Sequence, residues 1–199
     1  MRYKMNIENA RKNFLEINEI LNRCGIKFYL SEGTLLGAIR DGDFIAWDHD
    51  LDLRVTTTDW KSSMRKEFER SGFRYKNSMC PELYQDKSSG CVVKKRGIKT
   101  DVSLNYYYPP EDLYLTLAHR PNTHNTLRPG RFYRGEHFID FLNTKVRIPH
   151  PPEEYLQKLY GKNWRIRRKD NYYLSGRKPI SMEKYIKYFL EHPEVNQGK

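Results

Sequence analysis

Apolar residues recur at three- and four-residue steps at Ile7, Ala10, Phe14, Ile17, Leu21 and Cys24. That spacing lays one apolar stripe along a helix over residues 7–23, and Gly25 is placed to stop it. Residues 26–30 read as a short strand, and Ser31 with Gly33-Thr34 as a turn into a brief helix over residues 34–40. Asp41-Gly42-Asp43 breaks that helix. From His49 onward the pattern switches to strict alternation as far as Val55, the mark of a half-buried strand. Thr57 or Thr58 is positioned to cap a further helix ending near Ser71 and Gly72.

Short β-like runs follow at residues 73–76, 82–86, 90–96 and 98–104. Tyr106-Tyr107-Tyr108, ahead of Pro109-Pro110, reads as packing followed by a turn. Residues 122–135 are polar, basic and punctuated by Pro129-Gly130, so they read as a loop carrying Arg128, Arg131 and Arg134. Pro151-Pro152-Glu153-Glu154 opens a helix through Tyr160 that Gly161 ends, and a last helix spans residues 181–190. Strands mixed with helices, without repeats or a linker, predict one α/β (α+β) domain over residues 1–199, with a helical C-terminal part from about residue 151.

The alternating strand carries the chemistry. Residues two apart on a strand share a face, so Asp48, Asp50 and Asp52 project together while Leu51, Leu53 and Val55 point the other way. Like charges on one face are unfavourable unless a cation lies among them. Hard Mg²⁺ (or Mn²⁺) suits carboxylate oxygens and keeps places for substrate phosphate. Asp101, flanked by Thr100 and Val102, is a carboxylate on a later strand and a candidate third ligand. The pattern predicts metal-dependent phosphoryl or nucleotidyl transfer.

Composition narrows the partners. The 199 residues carry a net charge of +11, which favours anionic ligands. No DNA- or RNA-binding signature is present, so no specific nucleic acid is expected. Cys24, Cys80 and Cys91 are odd in number and widely spaced, which indicates neither a disulfide framework nor, with His119, His124 and His137, a zinc site. No apolar run approaches the ~20 residues of a membrane span, and the N-terminus lacks the apolar stretch of a signal peptide. The expectation is a cytoplasmic protein, with peripheral membrane contact open through its basic surface.

Glu32-Gly33-Thr34-Leu35-Leu36-Gly37-Ala38-Ile39-Arg40, then Phe44-Ile45-Ala46-Trp47-Asp48-His49-Asp50-Leu51-Asp52-Leu53, resembles the LicD family. That family includes phosphocholine transferases and fukutin-type ribitol-phosphate transferases. Lys99-Thr100-Asp101-Val102-Ser103-Leu104 resembles its later acidic strand, and Val146-Arg147-Ile148-Pro149 through Tyr160-Gly161-Lys162-Asn163-Trp164 its C-terminal signature. Ala46 stands where the family usually has proline, and His49 where a further acid is common. The resemblance implies a polymerase-β-like nucleotidyltransferase fold: a mixed sheet flanked by helices. It also implies transfer of a substituted phosphate, such as phosphocholine or a polyol phosphate, from a CDP-linked donor to a sugar, glycan or glycolipid acceptor.

On that reading Asp50, Asp52 and Asp101 are the catalytic and metal-binding acids. Asp101 is either third ligand or proton acceptor, and Asp48 either ligand or loop organiser. Gly33 and Thr34 would offer backbone N–H groups to the donor phosphate, and Arg40 a guanidinium. Glu32 would hold a substrate hydroxyl or buttress the turn. Lys94, Lys95 and Arg96 would steer the donor or be solvated. Trp47 would anchor the acidic strand, and Tyr160, Gly161 and Trp164 would be structural. Two other readings stand beside it: an NTP-dependent nucleotidyltransferase that uses the same acids, and a non-catalytic binder of anionic glycan or nucleic acid that uses the basic surface.

Overall fold

The computed structural model describes residues 4–79, 88–117, 125–167 and 183–196. Helix α1 (Ile7–Arg23) follows its apolar stripe, with Asn6 accepting the Asn9 N–H at its start. Strand β1 (Phe28–Leu30) leads into α2 (Glu32–Arg40), then β2 (Asp50–Thr56), α3 (Met64–Arg70), β3 (Arg74–Met79), β4 (Ser88–Lys95) and β5 (Ile98–Tyr108). After these come β6 (Leu113–Thr116), β7 (Thr126–Pro129), β8 (Phe138–Phe141), β9 (Thr144–Arg147), α4 (Pro152–Tyr160) and α5 (Glu183–Glu191).

The strands form one mixed sheet in the order β3-β4-β5-β2-β1-β9-β8, with β6 on β5 and β7 on β6. At its centre β2 and β5 run parallel, whereas β1 on β2 and β4 on β5 are antiparallel. Two turns set the neighbouring registers. Arg96-Gly97 links β4 to β5 and Leu142-Asn143 links β8 to β9, each with two positive-φ residues, the backbone that matches strand twist in two-residue hairpins.

Alternation along β2 divides the sheet into an apolar and a polar face. Leu51, Leu53 and Val55 share one core with Phe14, Ile17 and Leu21 of α1 and with Met64 and Phe68 of α3. Fully buried Phe14 meets Phe44 and Phe141 edge-to-face at 5.8 and 5.4 Å. A second cluster gathers Leu104, Tyr106, Tyr108 and Leu115 under Tyr185 and Phe189 of α5. The opposite face of β2 presents Asp50, Asp52 and Arg54.

Several boundaries depart from the sequence reading. Helix α2 begins at Glu32, so Gly33 and Thr34 form its first turn rather than a turn before it. Residues 57–63 are mostly turns, and the helix capped by Thr57 or Thr58 shrinks to α3. There Thr56 donates to Asp59 at 2.7 Å within the turn, and Lys61 donates to the Cys24 carbonyl at 2.8 Å, which holds the segment against the end of α1. The tyrosine run lies inside β5, because β6 extends the pairing to Tyr108. The loop over 122–135 contains β7, and the β8–β9 hairpin carried no Asn-Gly signal. The strand expected at 82–86 lies outside the described residues. Among those described, no helix is long and apolar enough to cross a membrane.

Candidate functional site

Register brings the acids together. Because β2 and β5 are parallel and in step, Asp52 stands beside Asp101 and Asp50 beside Lys99. One carboxylate oxygen from each of Asp50, Asp52 and Asp101 lies within 4.8 Å of the others. Asp48 falls in the turn before β2 and outside this group, its Oδ1 accepting the His49 N–H at 2.9 Å. Thr34 Oγ1 accepts the Asp52 N–H at 2.8 Å, and the Ser31 N–H donates to the Asp52 carbonyl at 3.1 Å. The first turn of α2 is thereby fastened to the acidic strand.

The cluster is crowded with negative charge. Burial, and then the negative charge of Asp50, Glu32, Asp48 and Asp101, push the Asp52 carboxyl well above the ordinary range. Burial with Asp50 beside it also lifts Asp48 to about 6, against the pull of the His49 N–H. An all-carboxylate set this close, with one member driven toward its neutral form, fits a hard divalent ion.

Two basic residues absent from the sequence-derived site also lie on this face. The Lys99 ammonium donates to Asp50 Oδ2 at 3.1 Å and to Asp101 Oδ2. Burial pulls the lysine pKa down, but the two acids outweigh it and hold it raised. Arg54, 4% exposed, donates to Ser31 Oγ at 2.7 Å, to Asn105 Oδ1 at 3.1 Å, and to Thr116 and Glu32. Arg128 approaches the same Glu32 carboxylate at 3.6 Å. Both residues continue an alternation already visible in the sequence: Arg54 follows Asp50 and Asp52, and Lys99 precedes Asp101.

The other candidates have definite places. Gly33 and Thr34 are buried at the start of α2. Arg40, the guanidinium expected to meet the donor phosphate, lies at the far end of that helix and is bound in a fork to Asp41 at 2.8 and 3.1 Å. Glu32 holds a left-handed backbone (φ +42°) and pairs with Arg54, which is the buttressing arrangement. Lys95 and Arg96 bind Glu16 of α1, and Lys94 is exposed. Arg131 pairs with Glu154 and Arg134 with Asp112. Trp47 is half-buried against the main core and Trp164 is buried in it. Cys24 and Cys91 are free thiols, and His137 stacks on His150 at 3.7 Å. Cys80, His119 and His124 lie outside the described residues.

The chain is similar in sequence to known proteins. The chain is 28% identical over 152 residues to "Ribitol-5-phosphate transferase FKTN" of Homo sapiens, covering 73% of this chain and 31% of that protein. The Macaca fascicularis FKTN is 26% identical over 169 residues, covering 81% and 34%. The chain thus spans about a third of these relatives. The solved structure of ANT(2")-Ia with adenylyl-2"-tobramycin superposes at a TM-score of 0.44, covering 71% of this chain and 69% of that one at 15% identity. Residues 25–150 match the model of the LicD/FKTN/FKRP nucleotidyltransferase domain, the stretch that contains both acidic strands, and the chain belongs to that family.

Proposed function

We propose that this protein transfers a substituted phosphate, with ribitol phosphate or a related polyol phosphate the leading candidate, from a CDP-linked donor to a glycan acceptor. The observation that carries the reading is the convergence of Asp50, Asp52 and Asp101 from two in-register strands, in a chain whose relatives are named ribitol-5-phosphate transferases. Asp50, Asp52 and Asp101 would hold Mg²⁺ or Mn²⁺. When bound, such an ion would neutralise charge at the donor diphosphate and at the departing nucleotide.

The chain's own residues supply position and proton transfer. The N–H groups of Gly33 and Thr34, at the positive end of α2, face a donor phosphate. Asp101 either completes the metal site or accepts the proton of the attacking acceptor hydroxyl as the new P–O bond forms and CMP leaves. The Glu32–Arg54 pair, tied to Ser31, keeps the start of α2 in register with Asp52. A net charge of +11 draws in the anionic donor and suits an acceptor carried on a glycolipid at an anionic membrane surface.

A donor screen tests this reading. CDP-ribitol, CDP-glycerol, CDP-choline and the four NTPs are each offered with Mg²⁺ and a glycan pool, with EDTA as control. Metal-dependent CMP release from one CDP donor is the expected result. Pyrophosphate release from an NTP would replace the reading with nucleotidyl transfer, and metal-independent, steeply salt-dependent glycan binding without turnover would replace it with a binding module.

A further inference from the structure

We propose that Lys99 is the resident counter-ion of the acid cluster, so that a divalent cation enters by exchange with its ammonium group rather than by filling an open cage. The inference rests on the metal reading above and adds what the metal must displace. Lys99 stands beside Asp50 across the β2–β5 pair and binds oxygens of two of the three acids, Asp50 Oδ2 at 3.1 Å and Asp101 Oδ2. The other Asp101 oxygen, Oδ1, is buried. The ammonium therefore holds the oxygen of Asp101 that a cation approaching over the polar face of the sheet would need.

Charge explains why a cation belongs there in the ion-free protein. Three carboxylates within 4.8 Å repel one another in a half-buried place, and one ammonium offsets part of that. Reach explains how it can leave. The Lys99 side chain is 25% exposed on a flexible four-carbon stem, beside exposed Lys94 across the β4–β5 pair. Withdrawn from the acids, the ammonium stays on the same face of the sheet, within reach of a donor phosphate.

An ordinary structural salt bridge and an exchangeable counter-ion predict opposite changes in metal affinity. If Lys99 only braces the strands, removing it loosens the cluster and weakens metal binding. If it competes for the oxygens, removing it strengthens binding. Calorimetric titration of the full chain with MgCl₂ at pH 8 compares wild type, Lys99→Met, Lys99→Arg and the neighbour control Lys94→Met. Lys99→Met is expected to bind Mg²⁺ on the order of ten-fold tighter, the effect of removing a unit charge a few ångströms away at protein-surface screening. Its ion-free melting temperature should fall while its Mg²⁺-induced rise grows. Lys99→Arg should keep the wild-type ion-free stability, and Lys94→Met the wild-type affinity.

Equal or weaker Mg²⁺ binding by folded Lys99→Met, beside a wild type that binds, overturns the inference alone. No Mg²⁺ binding by either overturns it together with the metal reading. If Lys99→Met does not fold, acetylation of Lys99 in the wild type, followed by mass spectrometry, decides. Faster labelling on adding Mg²⁺ supports exchange, and an unchanged rate contradicts it.

Discussion

Asp52 is the residue on which the strains of the site converge. Its main-chain groups are tied to Ser31 and Thr34, its side chain is driven toward the neutral form by burial and four acidic neighbours, and Asp101 lies beside it. Asp52→Asn and Asp101→Asn should each lower turnover by about a thousand-fold, the scale of losing electrostatic stabilisation at a reacting centre. Each should also abolish the Mg²⁺-induced rise in melting temperature, measured by calorimetry. Asp48 gives a pH signature. Its folded pKa of about 6 exceeds the unfolded value of 3.8, so the folded ion-free state holds this proton more tightly. The stability it contributes is present below about pH 4 and lost as pH rises through 6. Asp48→Asn should therefore melt higher than wild type at pH 8 and close to it at pH 4. The acids were legible as single residues because alternation needs only the chain itself. Lys99 and Arg54 sat on the same alternating faces, but the Asp50 partner of Lys99 lies 49 positions away and the partners of Arg54 lie 22 to 62 away, so only strand register reveals them.

Elements carry this chemistry by locking α2 to β2. The lock has two parts: the Thr34 and Ser31 bonds to Asp52, and the buried Glu32–Arg54 pair. Glu32→Gln leaves a guanidinium under-compensated inside the protein, and should cost about 3–5 kcal/mol in chemical denaturation. Gly37 closes the far side of α2. A Cβ there would lie 2.5 Å from the Asp43 carbonyl oxygen, and that neighbour is backbone. Gly37→Ala should destabilise by about 1–3 kcal/mol through overpacking, read as a lower denaturation midpoint. Helix α1 was legible from its apolar stripe and its glycine stop, and α4 from its Pro-Pro-Glu-Glu start and Gly161 stop. The start of α2 was not, because Glu32 enters with a left-handed backbone that sequence ordinarily reserves for glycine. Strand β7 was hidden by an arginine-rich segment whose strand character comes from pairing with β6.

The whole molecule reads as a sheet with a polar face that gathers the acid cluster and an apolar face buried under α1 and α3. The mixed sheet of a LicD/FKTN/FKRP nucleotidyltransferase domain was expected from the two acidic motifs and their order along the chain, and the strand order bears it out. Cofactor, donor and acceptor belong to the proposal, and they stand or fall together on one assay. CMP release from CDP-ribitol, with a glycan acceptor, is followed as Mg²⁺ is titrated into wild type and Asp101→Asn. Saturable, EDTA-reversible release by wild type, lost in the variant while its fold is kept, is the predicted result. Equal release by both proteins, or release indifferent to EDTA, would contradict the claim that these three acids form a metal-dependent phosphate-transfer centre.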